Sequence, residues 1–172
     1  MLRVDLRELA QKGAVQTRGE LKQDDPALEG ADIAFREPVV VDGRLQAIGE
    51  GRFYWQGTAR TVVGGECRRC LTPVTMPLKL EIGALFTQDP DAQDDPDSYP
   101  VAPDATEIDV TPAVREELVL NAPRYALCRE DCKGLCPQCG KDWNTGTCDC
   151  NPVTEARWQP LKALKDKLRS NN

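Results

Sequence analysis

Three features of this 172-residue sequence predict an α+β fold: an antiparallel, β-rich N-terminal domain with a helix, then a Cys-rich zinc-binding module, then a C-terminal helix. Hydrophobic alternation of period two runs through the first half of the chain. One stretch near the middle carries helix start and stop signals. All eight cysteines fall in two places, and there is no histidine. The length suits about one domain with a small appendage.

Leu2, Val4 and Leu6 alternate with Arg3, Asp5 and Arg7, which predicts a half-buried strand. Gln11 to Gly30 reads as a short helix or a loop, with nothing to choose between them. Val39–Val41, Asp42-Gly43 and Leu45–Ile48 predict a hairpin around an Asp-Gly turn. Gly51 to Val63, rich in aromatic and β-branched residues, predicts a long strand that ends in a turn at Gly64-Gly65. Val74 to Phe86 is the next strand, antiparallel to it across Cys67–Pro73. The consecutive Phe53, Tyr54 and Trp55 offer a base-stacking platform, but burial in the core is the expected use. Gln88 to Pro103, rich in Asp and Pro and poor in apolar residues, predicts a flexible acidic loop. Thr111 fits a helix N-cap and Pro112 the first helical position; Val114 and Leu118 mark the inner face, and Pro123 stops the helix. Cys128 to Cys150 is loop-built, and Ala156 to Leu168 shows a helical apolar stripe of Trp158, Leu161, Leu164 and Leu168 flanked by cations. The expected division is a β-rich domain at 1–123 with an acidic loop at 88–103 and a helix at 111–122, a zinc module at 124–152, and a basic amphipathic helix at 153–172.

The net charge of −6 is local. Eight acids and no Lys or Arg lie between Asp89 and Asp109, which leaves the rest of the chain at +2. Met1–Arg7 lacks the apolar run of a signal peptide and nothing is long enough to cross a bilayer, so a cytoplasmic, reducing location without membrane contact is expected. The lack of histidine excludes Ser-His-Asp and Cys-His nucleophiles and every imidazole-dependent metal site.

Cys67-Arg68-Arg69-Cys70 stands alone at the hairpin tip, and Cys128, Cys132, Cys136, Cys139, Cys148 and Cys150 follow the central helix. Four thiolates hold Zn²⁺ tetrahedrally, and a Cys-x-x-Cys turn brings two sulfurs to one ion while its amides donate to them. Eight cysteines then imply two Zn²⁺ ions. Local reach groups Cys136, Cys139, Cys148 and Cys150, leaving Cys67 and Cys70 to meet Cys128 and Cys132; other groupings, such as Cys132 with the Cys136 set, fit equally well. Gly140 is expected to pass the metal in a left-handed conformation. Four cysteines per ion close the site, which favours structural over catalytic zinc. The alternative is a thiol-redox protein using Cys67 and Cys70, but Leu71-Thr72-Pro73-Val74 leads into a strand rather than the helix that would lower a thiol pKa. A nuclease ranks last, for want of a metal-binding acid motif. Arg68 and Arg69, placed between ligands, are expected to point outward. Cations around the second cysteine group, including Arg124, Arg129, Lys133 and Lys141, form either a phosphate-contacting face or an ordinary mixed surface.

Glu66-Cys67-Arg68-Arg69-Cys70-Leu71, the acidic stretch, Arg115-Glu116-Glu117-Leu118 and the run from Leu127-Cys128 through Lys133-Gly134-Leu135-Cys136-Pro137-Gln138-Cys139-Gly140 resemble the bacterial YceD-like family, the large ribosomal RNA subunit accumulation proteins. The resemblance extends over roughly Val4 to Leu168. It implies a non-enzymatic, zinc-stabilised cytoplasmic factor that supports large-subunit rRNA synthesis, processing or stability. Its expected partners are that rRNA or ribosomal and assembly proteins. The cysteines carry over as zinc ligands, and no catalytic residue does.

Overall fold

The computed structural model describes residues 2–89, 98–150 and 161. The expected C-terminal helix, that one residue apart, and residues 90–97 of the acidic loop lie outside the described residues. What is described is a mixed α/β fold with a sheet-rich body and two helices. In chain order these are β1 (Arg3–Asp5), α1 (Leu6–Lys12), β2 (Ala14–Leu21), β3 (Ala34–Phe35), β4 (Val39–Gly49), β5 (Arg52–Glu66), β6 (Pro73–Thr87), β7 (Ser98–Pro100), β8 (Glu107–Asp109) and α2 (Thr111–Asn121). A six-stranded sheet runs β2-β4-β5-β6-β7, with β3 beside β5, and β1 pairs with β8 in a small separate ribbon. None of the described helices is long and apolar enough to cross a membrane.

The N-terminal alternation holds only to Asp5. There the side chain turns back to accept the N–H groups of Arg7 and Glu8, which caps α1 and ends the strand. The undecided stretch after it contains β2, which pairs with β4 from Ala14↔Gln46 to Leu21↔Val39. Asp42-Gly43 is not a turn: β4 runs straight through it, and the chain reverses instead at Glu50-Gly51, with Gly51 at φ 64°. Gly43 has a packing role. The Trp55 indole lies across Gly43 and Gly57, where added Cβ atoms would meet the ring at 2.6 and 2.5 Å, and its Nε1 donates to Thr17 Oγ1 at 2.8 Å. Trp55 is fully buried, a contribution of about 5 kcal/mol for roughly 200 Å² of aromatic surface. Gly64-Gly65 likewise lies within β5, and the bare Gly64 backbone makes room for the Arg36 guanidinium.

The core is the inner sheet face, Val39, Val41, Leu45, Trp55, Ala59, Ile82, Ala84 and Phe86, covered by Leu9 of α1, Val114 and Leu118 of α2 and Val4 and Ile108 of the small ribbon. The edge of the core departs from the sequence expectation in two places. The acidic loop expected over 88–103 ends early, because Ser98–Pro100 re-enters the sheet as β7, parallel to β6, and Val101 is buried. Thr111 is the first helical residue rather than the cap, and its N–H is taken by Asp109 Oδ1 at 2.9 Å. Strands β5 and β6 are 15 residues each and pair along their whole length, a ribbon of about 50 Å. Its tip, Cys67–Thr72, carries the first two cysteines.

Candidate metal centre

The inward-facing positions of β5 alternate through Trp55, Ala59, Thr61 and Val63, and the same register carries Cys67 inward. At Cys67 the backbone folds into a knuckle: the Leu71 N–H donates to Cys67 O at 2.8 Å and the Cys67 N–H to Thr72 O at 2.9 Å. The second Cys-x-x-Cys repeats this residue for residue. Gly140 N–H donates to Cys136 O at 2.9 Å and Cys136 N–H to Lys141 O at 2.9 Å. Both knuckles leave through a left-handed residue, Leu71 at φ 61° and Gly140 at φ 72°. Glycine takes that conformation without cost, whereas the branched Leu71 is strained and stays 58% exposed.

The eight sulfurs gather in two groups of four, Cys67, Cys70, Cys128 and Cys132, and Cys136, Cys139, Cys148 and Cys150, each within 4.8 Å of one another. In the first group Cys67 Sγ and Cys132 Sγ are 3.8 Å apart, and Cys70 Sγ and Cys128 Sγ 3.6 Å. A tetrahedron with Zn–S bonds of about 2.3 Å has edges of about 3.8 Å, so the spacing fits a four-thiolate ion and is too wide for the ~2.05 Å of a disulfide. All eight are free thiols. Cys67, Cys70 and Cys132 are buried and Cys128 is exposed; in the second group Cys136 is buried while Cys139 and Cys150 are exposed.

The electrostatics favour a cation. Burial pushes the Cys67 thiol up, but N–H groups of Cys128, Arg69 and Cys70 outweigh it and bring it down to about 6. Cys136 is lowered to about 6 by the N–H groups of Cys139 and Gln138, and Cys70 is lowered by Thr72, whose Oγ1 is 3.2 Å away. Four adjacent thiols cannot all ionise in the absence of positive charge. Although Cys128 is exposed as a residue, desolvation of its sulfur among its thiol neighbours pushes it up to about 12, and Cys150 is pushed up to about 12 chiefly by Cys139. A divalent ion removes that conflict, since it binds the thiolates and displaces their protons.

Several residues that are not ligands hold the two groups together. Arg69 does not simply point outward. Its Nη1 donates to the carbonyls of Glu130 and Cys132 at 3.1 and 2.8 Å, and its own carbonyl accepts Leu135 N–H at 3.0 Å. Gly134, at φ 78°, must be bare because a Cβ would lie 2.9 Å from Arg69 O. Arg68 N–H donates to Ala126 O at 2.9 Å. Asn144 joins the groups: its Nδ2 reaches Cys132 Sγ at 3.5 Å and Asp142 Oδ1 at 2.6 Å, while its Oδ1 accepts from Arg129 and Lys133 N–H. Asp142 is in turn bridged to Leu135 beside the second knuckle. The Asp-x-Asn spacing of a local side-chain turn was the available clue. Trp143 Nε1 donates to Cys148 Sγ at 3.4 Å.

Residues 55–165 match the family described as Large ribosomal RNA subunit accumulation protein YceD. The chain belongs to this family. The YceD match takes in all eight cysteines and both knuckles, and leaves out the strands before β5. Among relatives, an uncharacterized protein of Mycobacterium tuberculosis is 35% identical over 124 residues, covering 70% of this chain and 59% of its own. The YlbN protein of Bacillus subtilis, also uncharacterized, is 34% identical over 119 residues, 66% of this chain and 65% of its own. A maize protein named Large ribosomal RNA subunit accumulation protein YCED homolog 1, chloroplastic, is 26% identical over 189 residues, 85% of this chain and 64% of its own. The alignments with the mycobacterial relatives span about three fifths of those proteins' length. No solved structure matches.

Proposed function

We propose that this protein is a non-enzymatic, zinc-stabilised factor supporting large-subunit rRNA accumulation, with all eight cysteines as ligands of two Zn²⁺ ions. The observation that carries the metal reading is the spacing of the first sulfur group, 3.6 and 3.8 Å across two opposite edges. Four thiolates fill a tetrahedral ion and leave no position for water, so the metal's work is to hold the chain. In this reading residues 1–123 are the body, 124–152 the zinc module and 153–172 a basic appendage, with the first site fastening module to body. Cytoplasmic action on rRNA or on ribosomal and assembly proteins fits the family; the plant relatives are named as chloroplastic. The thiol-redox alternative is disfavoured because Cys67 is wholly buried, and a redox thiol must be reached by its partner.

The test has two arms. Elemental analysis of the purified chain is expected to give two zinc ions per molecule; none would end the zinc reading. Depletion of the protein in its own cells is expected to lower large-subunit relative to small-subunit rRNA, with recovery on re-expression. An unchanged ratio would end the rRNA reading.

A further inference from the structure

The face of the six-stranded sheet turned away from the core is concave, with a cavity of about 880 Å³ over the centres of β2, β4, β5 and β6. Strand register sets its side chains in rows. Gln16, Arg44 and Gln56 lie side by side, Arg18, Asp42, Thr58 and Glu81 form the next row, and Arg60 stands directly opposite Lys79. Arg18 is held by Asp42 at 2.7 Å. Arg44, Arg60 and Lys79 have no carboxylate partner among the described residues.

Like charges directly opposite on neighbouring strands destabilise a sheet, so the Arg60–Lys79 pair is a standing cost. An anion lying between them turns it into an attraction. The remaining acids of this face, Glu81, the edge residue Glu20 and Glu66 at the far end of β5, are not in ion pairs with them. Val40 is the one exposed aliphatic side chain that lines the cavity, too little for the apolar centre that a protein interface needs. What the face offers besides charge is amide and ring: Gln16, Gln56, and Tyr54, whose ring crosses Gly83 so closely that a Cβ there would meet Oη at 2.4 Å. Cations that track a backbone beside a ring and side-chain amides are the composition of a single-strand RNA platform.

We propose that this concave sheet face binds single-stranded RNA, with Arg44, Arg60 and Lys79 on phosphates and Tyr54 and Gln56 toward the bases. The proposal rests on the rRNA reading above and supplies the surface for it.

The experiment is fluorescence anisotropy of a labelled, mixed-sequence single-stranded RNA of about 20 nucleotides, titrated with the full metal-loaded chain at several salt concentrations. Three phosphate contacts predict a log–log salt slope of about −2. R44A/R60A/K79A is expected to bind at least about tenfold more weakly with a flattened slope, while the charge-preserving R60K/K79R retains binding. R68A/R124A/K133A, which removes cations near the cysteine groups instead, is expected to bind like the parent. Thermal melting checks that each variant is folded. Absence of binding by the parent, unchanged binding by R44A/R60A/K79A, or loss confined to R68A/R124A/K133A would each overturn the proposal. Tighter binding of poly-glutamate than of RNA would overturn it in favour of an acidic protein partner. In depleted cells, R44A/R60A/K79A is expected to fail where R60K/K79R restores large-subunit rRNA. Full restoration by the triple variant sinks the face and spares the rRNA reading, whereas depletion without an rRNA defect sinks that reading and leaves the face to be judged by the titration.

Discussion

The two four-cysteine groups use the same knuckle for different ends. Both close with the same pair of backbone hydrogen bonds and leave through a left-handed residue. The second lies within Cys136–Cys150 and is partly exposed. The first draws Cys67, at the tip of the β5–β6 ribbon, to Cys132, 65 residues later, and three of its four thiols are buried. Loop-closure entropy grows only with the logarithm of length, so the longer reach by itself accounts for about 1 kcal/mol. The larger difference is what each group joins. The first fastens the cysteine-rich segment to the sheet; the second closes that segment on itself. A local motif can therefore be identical in backbone geometry and unequal in consequence.

The sharpest way to break this contrast is Cys132→Ser. It is expected to release one of two metal ions and to lower stability by several kcal/mol, because structural zinc contributes folding energy directly. Metal analysis and thermal denaturation read both effects, and an unshifted melting temperature would refute the assignment of the first group as the fastening. Cys148→Ser is expected to release one ion as well, with the sheet melting within a few degrees of the parent and a change in Trp143 fluorescence, since that indole donates to Cys148. Collapse of the sheet signal in this variant would erase the distinction. Asn144→Ala removes a bridge between the groups without touching a ligand. It is expected to cost about 1–3 kcal/mol and to make the metal about 10–100-fold easier to extract by a chelator; extraction at the parent rate would show the groups to be independent. The smallest effect concerns the exit residues. Leu71→Gly relieves a left-handed conformation at an exposed site and is expected to gain about 1 kcal/mol in urea unfolding, whereas Gly140→Leu loses a similar amount. A loss from Leu71→Gly would mean that the leucine side chain has a contact worth more than its strain.

Much of the body was legible in the residues. The long strands β5 and β6 and their antiparallel pairing and the helix after Asp109 follow from local pattern, whereas the meeting of Cys67 and Cys70 with Cys128 and Cys132 was one of several groupings that fitted equally well. Two of the misreadings share one cause. Gly43 and Gly64 look like turn residues, but each is bare to admit a side chain from elsewhere, the Trp55 indole across β4 and Arg36 against β5. No local window contains that requirement. Strand β2 was illegible because Gln16, Arg18 and Glu20 on its outer side and a buried Thr17 and half-buried Gly19 on its inner side blur the alternation. Asn144 was missed because its importance comes from Cys132, twelve residues away, and from a fold that brings Arg129 and Lys133 to the same amide.

The β5–β6 ribbon also sets a clock. At about 5–20 residues per second of synthesis, Cys132 follows Cys67 by roughly 3–13 seconds. A nascent chain therefore carries Cys67 and Cys70 without Cys132 for seconds, so an ion that needs all four thiols would be captured late in synthesis rather than early.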